Sequence, residues 1–342
     1  MKTNKRILII TDDDYNPNKI LNYPEYRYSK GYAKLGHHIL VFNYSMVLKS
    51  FNPFKSKTIG AKLYKKKVDQ LLIKNMKSYQ PDIVIMFFPR DLNYESISLM
   101  RENWPDAVFI GHDGDAWPKL QKSPRIETAK GLDILTATNN GIYLDDYRQA
   151  GVPLCAFMPN AVDPDLEHRY VVSEKWQSDI LWVGKTKHSA DSSDTLREEL
   201  VQKLSTMKNC AIYGCENYPK IGTLDYIYSI CGAKIGVHVN AINSVKLYHS
   251  DRLSHYLACG TFVLSKRVPD TDLLFEDKVH IRYFDSIDEF FDLADYYLKH
   301  EEERKQIADA GMNRAHKEYN CEKIAQYYLE LIENGSYNAP WF

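Results

Sequence analysis

Apolar runs of strand composition recur along this chain with helix-period segments between them, and the series starts twice. The first series is Arg6–Thr11, His38–Tyr44, Asp82–Pro89, Ala107–His112, Ile134–Thr138 and Ala156–Pro159. The second is Asp179–Gly184, Cys210–Gly214, Ile235–Asn240, Thr261–Ser265 and His280–Phe284. Continuously apolar strands are buried on both faces, and helical crossovers between them make neighbours parallel, so the pattern predicts an α/β protein with two wound sheets. Between the series lies the polar break VDPDLEHRYVVSEKWQSD, with Pro164 and a cluster of charges. The domain division is placed there, with a first domain over 1–165 and a second over 175–325. A length of 342 residues agrees with two domains at roughly 150 residues each. Wound sheets bind ligands at the carboxyl ends of their strands, so the expected ligand cleft lies between the two halves.

Composition narrows the function classes. A net charge of −1 gives no overall attraction for nucleic acid. No apolar run approaches the roughly 20 residues of a membrane span, and Met1–Arg6 leads into a strand instead of a signal-peptide core, so a cytoplasmic location is expected. The six cysteines contain no Cys-x-x-Cys pair and are read as free thiols. None of the eleven histidines shows His-x-x-x-His or His-Glu-x-x-His spacing, and no metal ligands are expected. One segment carries strong local charge. KLYKKKVDQLLIKNMKSY, Lys62–Tyr79, has the pattern of a basic amphipathic helix with an apolar stripe of Tyr64, Val68, Leu71, Leu72 and Met76. Such a helix can rest on an anionic bilayer, although most charge runs are solvated faces.

The passage DRLSHYLACGTFVLSKRVPDTDLLFED, Asp251–Asp277, reads as a short helix stopped by Gly260, a buried strand and an acidic turn. It resembles the C-terminal half of CgeB-like glycosyltransferases, a branch of the group 1 enzymes built from two Rossmann-like domains (the GT-B fold) facing across a cleft. Upstream, DILTATNNGIYLDDYRQAGVPLCAFMPNAVDP is similar to the family's Tyr-Arg-x-x-Gly and Pro-x-x-Val-Asp-Pro passage, and YYLKHEEERKQIADAGMNRAHKEYN to its closing helices. The resemblance covers about two thirds of the chain, from roughly Asp113 onward. It implies transfer of a sugar from a nucleotide-sugar donor, first a UDP-sugar, held by the second domain to a glycan or other hydroxyl acceptor held by the first. No separate cofactor is implied. It also implies that the last segment, 322–342, crosses back to the first domain. A nucleotide-sugar epimerase, a DNA glucosyltransferase and a non-catalytic sugar-nucleotide binder share the architecture, and near-neutral charge disfavours the DNA reading.

Within that frame, Arg252 and His255 are three apart on one helix and can share a polar face toward the ligand. The resemblance implies that Arg252 touches the donor's phosphates; a surface arginine paired with Asp251 is the alternative. Relatives usually carry Glu where His255 stands, so this position departs from the pattern. The loop VGKTKHSADSSDTLREEL offers Gly184 for close backbone approach, with Lys185, Lys187 and Arg197 for a pyrophosphate. In the first domain, FIGHDGDAWP places His112, Asp113, Asp115 and Trp117 at a strand end. Either carboxylate could deprotonate an acceptor hydroxyl, Asp113 first, or could cap a turn. Asp12, Asp13 and Asp14 form a second acidic group after the first strand.

Overall fold

The computed structural model of the protein describes residues 4–12, 24–53, 57–87, 92–115, 123–186 and 195–341. Two compact units emerge. The first ends at Pro159 and takes up the chain again at Cys321–Asn338, and the second runs Asn160–Asn320. The charged break therefore belongs wholly to the second unit. Its first residues are fastened there: Val162 bridges Asn320, and Asn160 Nδ2 donates to the His249 carbonyl at 3.1 Å.

The first unit is a parallel sheet of β1 (Arg6–Thr11), β2 (His38–Asn43), β3 (Ile83–Met86), β4 (Val108–Asp113), β5 (Ile134–Ala137) and β6 (Leu154–Phe157), in the order β2-β1-β3-β4-β5-β6. Its helices are α1 (Pro24–Lys34), α2 (Tyr44–Phe51), α3 (Lys57–Tyr79), α4 (Tyr94–Asn103), α5 (Pro124–Ala129) and α6 (Ile142–Gln149). Ile7 to Ile10 and Ile83 to Met86 are buried at every position, as two covered faces require. Leu8, Ile10, Val84, Phe109 and Leu135 form one core with Val68, Leu72 and Met76 of α3. Asn43 ends β2 by accepting the Met46 amide at 3.0 Å, which starts α2 one residue earlier than the apolar run implied.

In the second unit β7 (Ser178–Val183), β8 (Cys210–Tyr213), β9 (Ala233–His238), β10 (Phe262–Lys266) and β11 (Arg282–Phe284) pair in parallel in the order β11-β10-β9-β7-β8. Around them lie α7 (Leu196–Leu204), α8 (Thr223–Gly232), α9 (Asp251–Ala258), α10 (Ile287–Lys299) and α11 (Glu301–Glu318). The expected strand Ile235–Asn240 shifts two residues toward the N-terminus. Asn240 leaves the ladder because its side chain donates to the Tyr248 carbonyl and accepts the Ser250 amide, closing the loop that leads into α9. Ser286 caps α10 by accepting the Glu289 amide at 3.1 Å.

The last helix, α12 (Cys321–Asn334), packs on α1 within the first unit. Gly31 makes the approach close: a Cβ there would stand 2.1 Å from the Cys321 carbonyl oxygen. Both sheets reverse their strand order once, between β1 and β3 and between β7 and β9. Such a reversal opens a crevice at the carboxyl ends of the two diverging strands.

Candidate functional site

In the second unit that crevice is occupied by Arg252, the second residue of α9. Its Nη1 donates to the Val183 carbonyl at the end of β7, and its Nη2 to the Val239 carbonyl just beyond β9 at 2.6 Å. A planar guanidinium has the fork that spans two diverging strand ends, and the two acceptors fix it in place. Gly184 follows Val183 with φ 146°, and a Cβ there would lie 2.3 Å from Arg252 Nη1 and 3.2 Å from Arg197 Nη2. Arg197, buried near the start of α7, therefore converges with Arg252 on the same glycine. Both guanidinium carbons lie over the ring of the buried Trp182, at 5.6 and 5.7 Å from its centroid. Trp182 in turn donates to the Gly184 carbonyl at 2.9 Å. The indole's negative face stabilises cations, so one ring holds two positive charges beside a strand end. The Nε–H of Arg252 is a buried donor with no acceptor among the described residues. Lys185, one residue on, is exposed.

His238 ends β9 beneath this pair, with Nδ1 2.9 Å from Ser265 Oγ and Nε2 3.2 Å from Ser250 Oγ. Burial, and next the positive charge of Arg252, hold its pKa well below the usual histidine value. Ser250 precedes α9 but does not cap it with its side chain, because the hydroxyl faces His238.

Gly184, Arg197 and Arg252 are thus brought together, with Lys185 adjacent. His255 is not. The expected shared face with Arg252 fails because residues three apart on a helix still differ by about 60° around the axis. His255 turns inward and is 4% exposed, with Nδ1 3.0 Å from Tyr226 Oη and Nε2 3.4 Å from Oε1 of the fully buried Glu167. Oε2 of Glu167 accepts the Asp163 amide at 2.7 Å. The imidazole is thus buried against a carboxylate drawn from the charged break.

In the first unit, Asp113 does not stand beyond the strand but is the last residue of β4, and it is 2% exposed. Arg125 Nη1 donates to its Oδ1 at 2.7 Å, and Tyr147 Oη donates to its Oδ2 at 2.7 Å. Burial, and next the carboxylate, push the Tyr147 pKa upward. Both oxygens of Asp113 are thus engaged by side chains inside the protein. The carboxylate joins β4 to α5 and α6. The turn that the sequence offered as the alternative is present: the Asp115 amide donates to Asp113 Oδ1 at 3.4 Å, and Thr138 Oγ1 to the Gly114 carbonyl at 2.9 Å. Asp115 itself is exposed.

His112 precedes Asp113 on β4. It is buried, Nδ1 lies 3.0 Å from Thr136 Oγ1 and 2.9 Å from Tyr328 Oη, and its ring packs edge-on against Phe87. Asp12 accepts the Ser45 hydroxyl at 3.4 Å. Asp13, Asp14, Trp117 and Lys187 lie outside the described residues.

Sequence reasoning missed Arg125, Trp182, Tyr226 and Glu167. Tyr147 was in view as part of Tyr-Arg-x-x-Gly, but its partner lies 34 residues away. The buried histidines carry a testable consequence. Burial lowers His112 and His249 to about 4, against roughly 6.5 in the unfolded chain. Between those values the unfolded state takes up protons that the folded state refuses, so stability is full above pH 6.5 and falls as pH drops toward 4. Each group costs about 3 kcal/mol at the bottom of the window. Urea unfolding at pH 7 and pH 4.5 is expected to show the loss, and His112→Asn to reduce it; equal midpoints at both pH values would contradict neutral burial.

Residues 196–330 match a family model described as glycosyl transferase-like, and this span holds Arg197 and Arg252. No curated protein matches the chain in sequence. Among solved structures, a glycosyltransferase from Rickettsia africae superposes with a TM-score of 0.60 at 14% identity, covering 96% of this chain and 98% of that one. Anabaena HepE (Alr3699), crystallised with UDP and glucose, gives 0.58 at 10% identity over 96% and 99% of the two chains. Sucrose-phosphate synthase from Thermosynechococcus elongatus gives 0.55 at 10% identity over 96% and 88%. At these identities the likeness is one of fold. The chain has the two-Rossmann-domain (GT-B) fold, and its residues 196–330 match the glycosyl transferase-like model.

Proposed function

We propose that the protein is a glycosyltransferase of the CgeB-like branch that moves a hexosyl group from a UDP-sugar to a hydroxyl of a glycan, lipid-linked or protein acceptor. One observation carries this reading: two guanidinium groups, Arg197 and Arg252, converge on Gly184 at the strand reversal between β7 and β9. A diphosphate placed there meets full positive charge, forked donors and a backbone that a side chain would otherwise obstruct. The same charge stabilises the nucleoside diphosphate as the glycosidic bond breaks, so the reading needs no metal ion. That HepE was crystallised with UDP and with UDP-glucose supports a uridine donor. Lys185 is assigned to the same phosphates from its exposed position after Gly184. Asp115 replaces Asp113 as the carboxylate assigned to the acceptor hydroxyl. We place the reaction in the cytoplasm, where nucleotide sugars are made.

The test is titration calorimetry with UDP. A charged hydrogen bond contributes about 1.5–3 kcal/mol, so Arg252→Ala is expected to weaken binding roughly ten- to a hundredfold. Unchanged affinity would remove the site. Incubation with a panel of nucleotide sugars then separates the chemistries: sugar transfer supports the proposal, whereas epimerised donor without acceptor would identify an epimerase. Binding without turnover under all acceptors would leave a sugar-nucleotide binder.

A further inference from the structure

The helix pair α2 and α3 carries a charge that the rest of the molecule opposes. Its two segments hold eight lysines and one carboxylate, a net +7 in a chain whose total is −1. That carboxylate, Asp69, is occupied: it accepts from Lys65 Nζ and Tyr44 Oη at 2.7 and 2.6 Å, and from Ser96 Oγ. All of these partners lie on the inward side of α3, with Val68, Leu72 and Met76 buried beside them.

The outward side is ordered along the helix. Ile59, Leu63, Lys66, Gln70, Lys74 and Lys77 recur at three- and four-residue spacing and so share one face, with Lys67 at its margin. Its first two turns are apolar and its remainder cationic. Leu63 is 58% exposed and Ile59 44%. Phe51, 37% exposed, closes α2 six residues before α3 opens, at the end of α2 from which the chain leads into the first turn of α3. An alkyl edge in water is unfavourable and has no electrostatic use, whereas beside a row of lysines it suits a surface that is anionic outside and hydrocarbon beneath.

We propose that this outer face of α3, with the end of α2, docks on an anionic lipid bilayer. Leu63, Ile59 and Phe51 enter the headgroup boundary while Lys66, Lys67, Lys74 and Lys77 meet lipid phosphates. Among the described residues no helix is long and apolar enough to cross a membrane, so attachment is in the plane of the surface. A nucleic acid would also meet the lysines but has no use for three exposed apolar side chains, and the bilayer accounts for both. The proposal does not depend on the donor site.

Flotation of the full chain with vesicles of phosphatidylcholine alone, or of equal parts phosphatidylcholine and phosphatidylglycerol, tests it. Retention on the anionic vesicles is expected to exceed that on neutral ones by about tenfold or more and to be released by salt. Lys66→Glu/Lys67→Glu and, separately, Leu63→Glu are each expected to lower anionic retention by about tenfold while UDP affinity stays at the wild-type value. Equal retention on both vesicle types would overturn the proposal. So would retention that ignores Leu63→Glu, or a labelled duplex oligonucleotide that displaces the protein from vesicles at physiological salt, which would assign the lysines to nucleic acid.

Discussion

Arg125→Met is expected to lower the stability of the first unit by about 3–5 kcal/mol, the cost of leaving a buried ion without its partner. Asp113 is 2% exposed, and Arg125→Met removes the 2.7 Å hydrogen bond to its Oδ1, beside which the Asp115 amide contact is long at 3.4 Å. Asp113→Asn is expected to cost less, about 1–3 kcal/mol, because Arg125 retains 24% side-chain exposure and can rehydrate. Combining both changes should recover part of the loss, since neither ion then remains. Urea unfolding, with hydrogen exchange at the β4 and β5 amides to report on this unit, measures all three. The same variants decide what the carboxylate does. A general base removed by Asp113→Asn would abolish transfer, a loss of about 100- to 10,000-fold, with β4 protection intact. We expect the opposite pattern, in which protection falls first and Asp115→Asn has the larger effect on transfer.

How far the sequence carried the description depends on what each residue must satisfy. Strands buried on both faces announce themselves as apolar runs, because every position is under the same pressure; β1, RILIIT, and β3, IVIM, need no partner to be read. Strand ends are set differently. Asn240 leaves β9 through hydrogen bonds to Tyr248 and Ser250, contacts between loop residues that no periodicity encodes. The residues of the candidate site were legible as types: a glycine after a strand, an arginine opening a helix. Their convergence was not, since Gly184, Arg197 and Arg252 are brought together by the order of β7 and β9. Trp182 was invisible for a related reason, because an indole in an apolar strand reads as core, and only the two cations above it give it a second role. The burial of His255 and Asp113 was hidden in the same way. Each is a polar residue at the right place in a motif, and each is turned inward by a partner distant in sequence, Glu167 and Arg125.

The double variant Arg197→Ala/Arg252→Ala is expected to weaken UDP binding by roughly 10²- to 10⁴-fold, the sum of two charged contacts at about 1.5–3 kcal/mol each. The sum is an upper bound. Two guanidinium groups over one indole repel each other in the empty site, so losing either relieves the other, and the single variants should together exceed the double. A bound diphosphate cancels that repulsion, which makes the pair a device for favouring the anion over solvent. Lysine at both positions tests whether charge alone suffices: Lys keeps the charge but cannot span the Val183 and Val239 carbonyls with one planar fork, and we expect it to restore less than a tenth of the lost affinity. Calorimetry with UDP and with inorganic diphosphate separates the contributions, since loss shared by both ligands belongs to the phosphates. Should the double variant bind UDP within about threefold of wild type, a difference below 1 kcal/mol, the diphosphate does not lie at the β7–β9 crevice. The proposed glycosyltransferase would then have to hold its donor elsewhere.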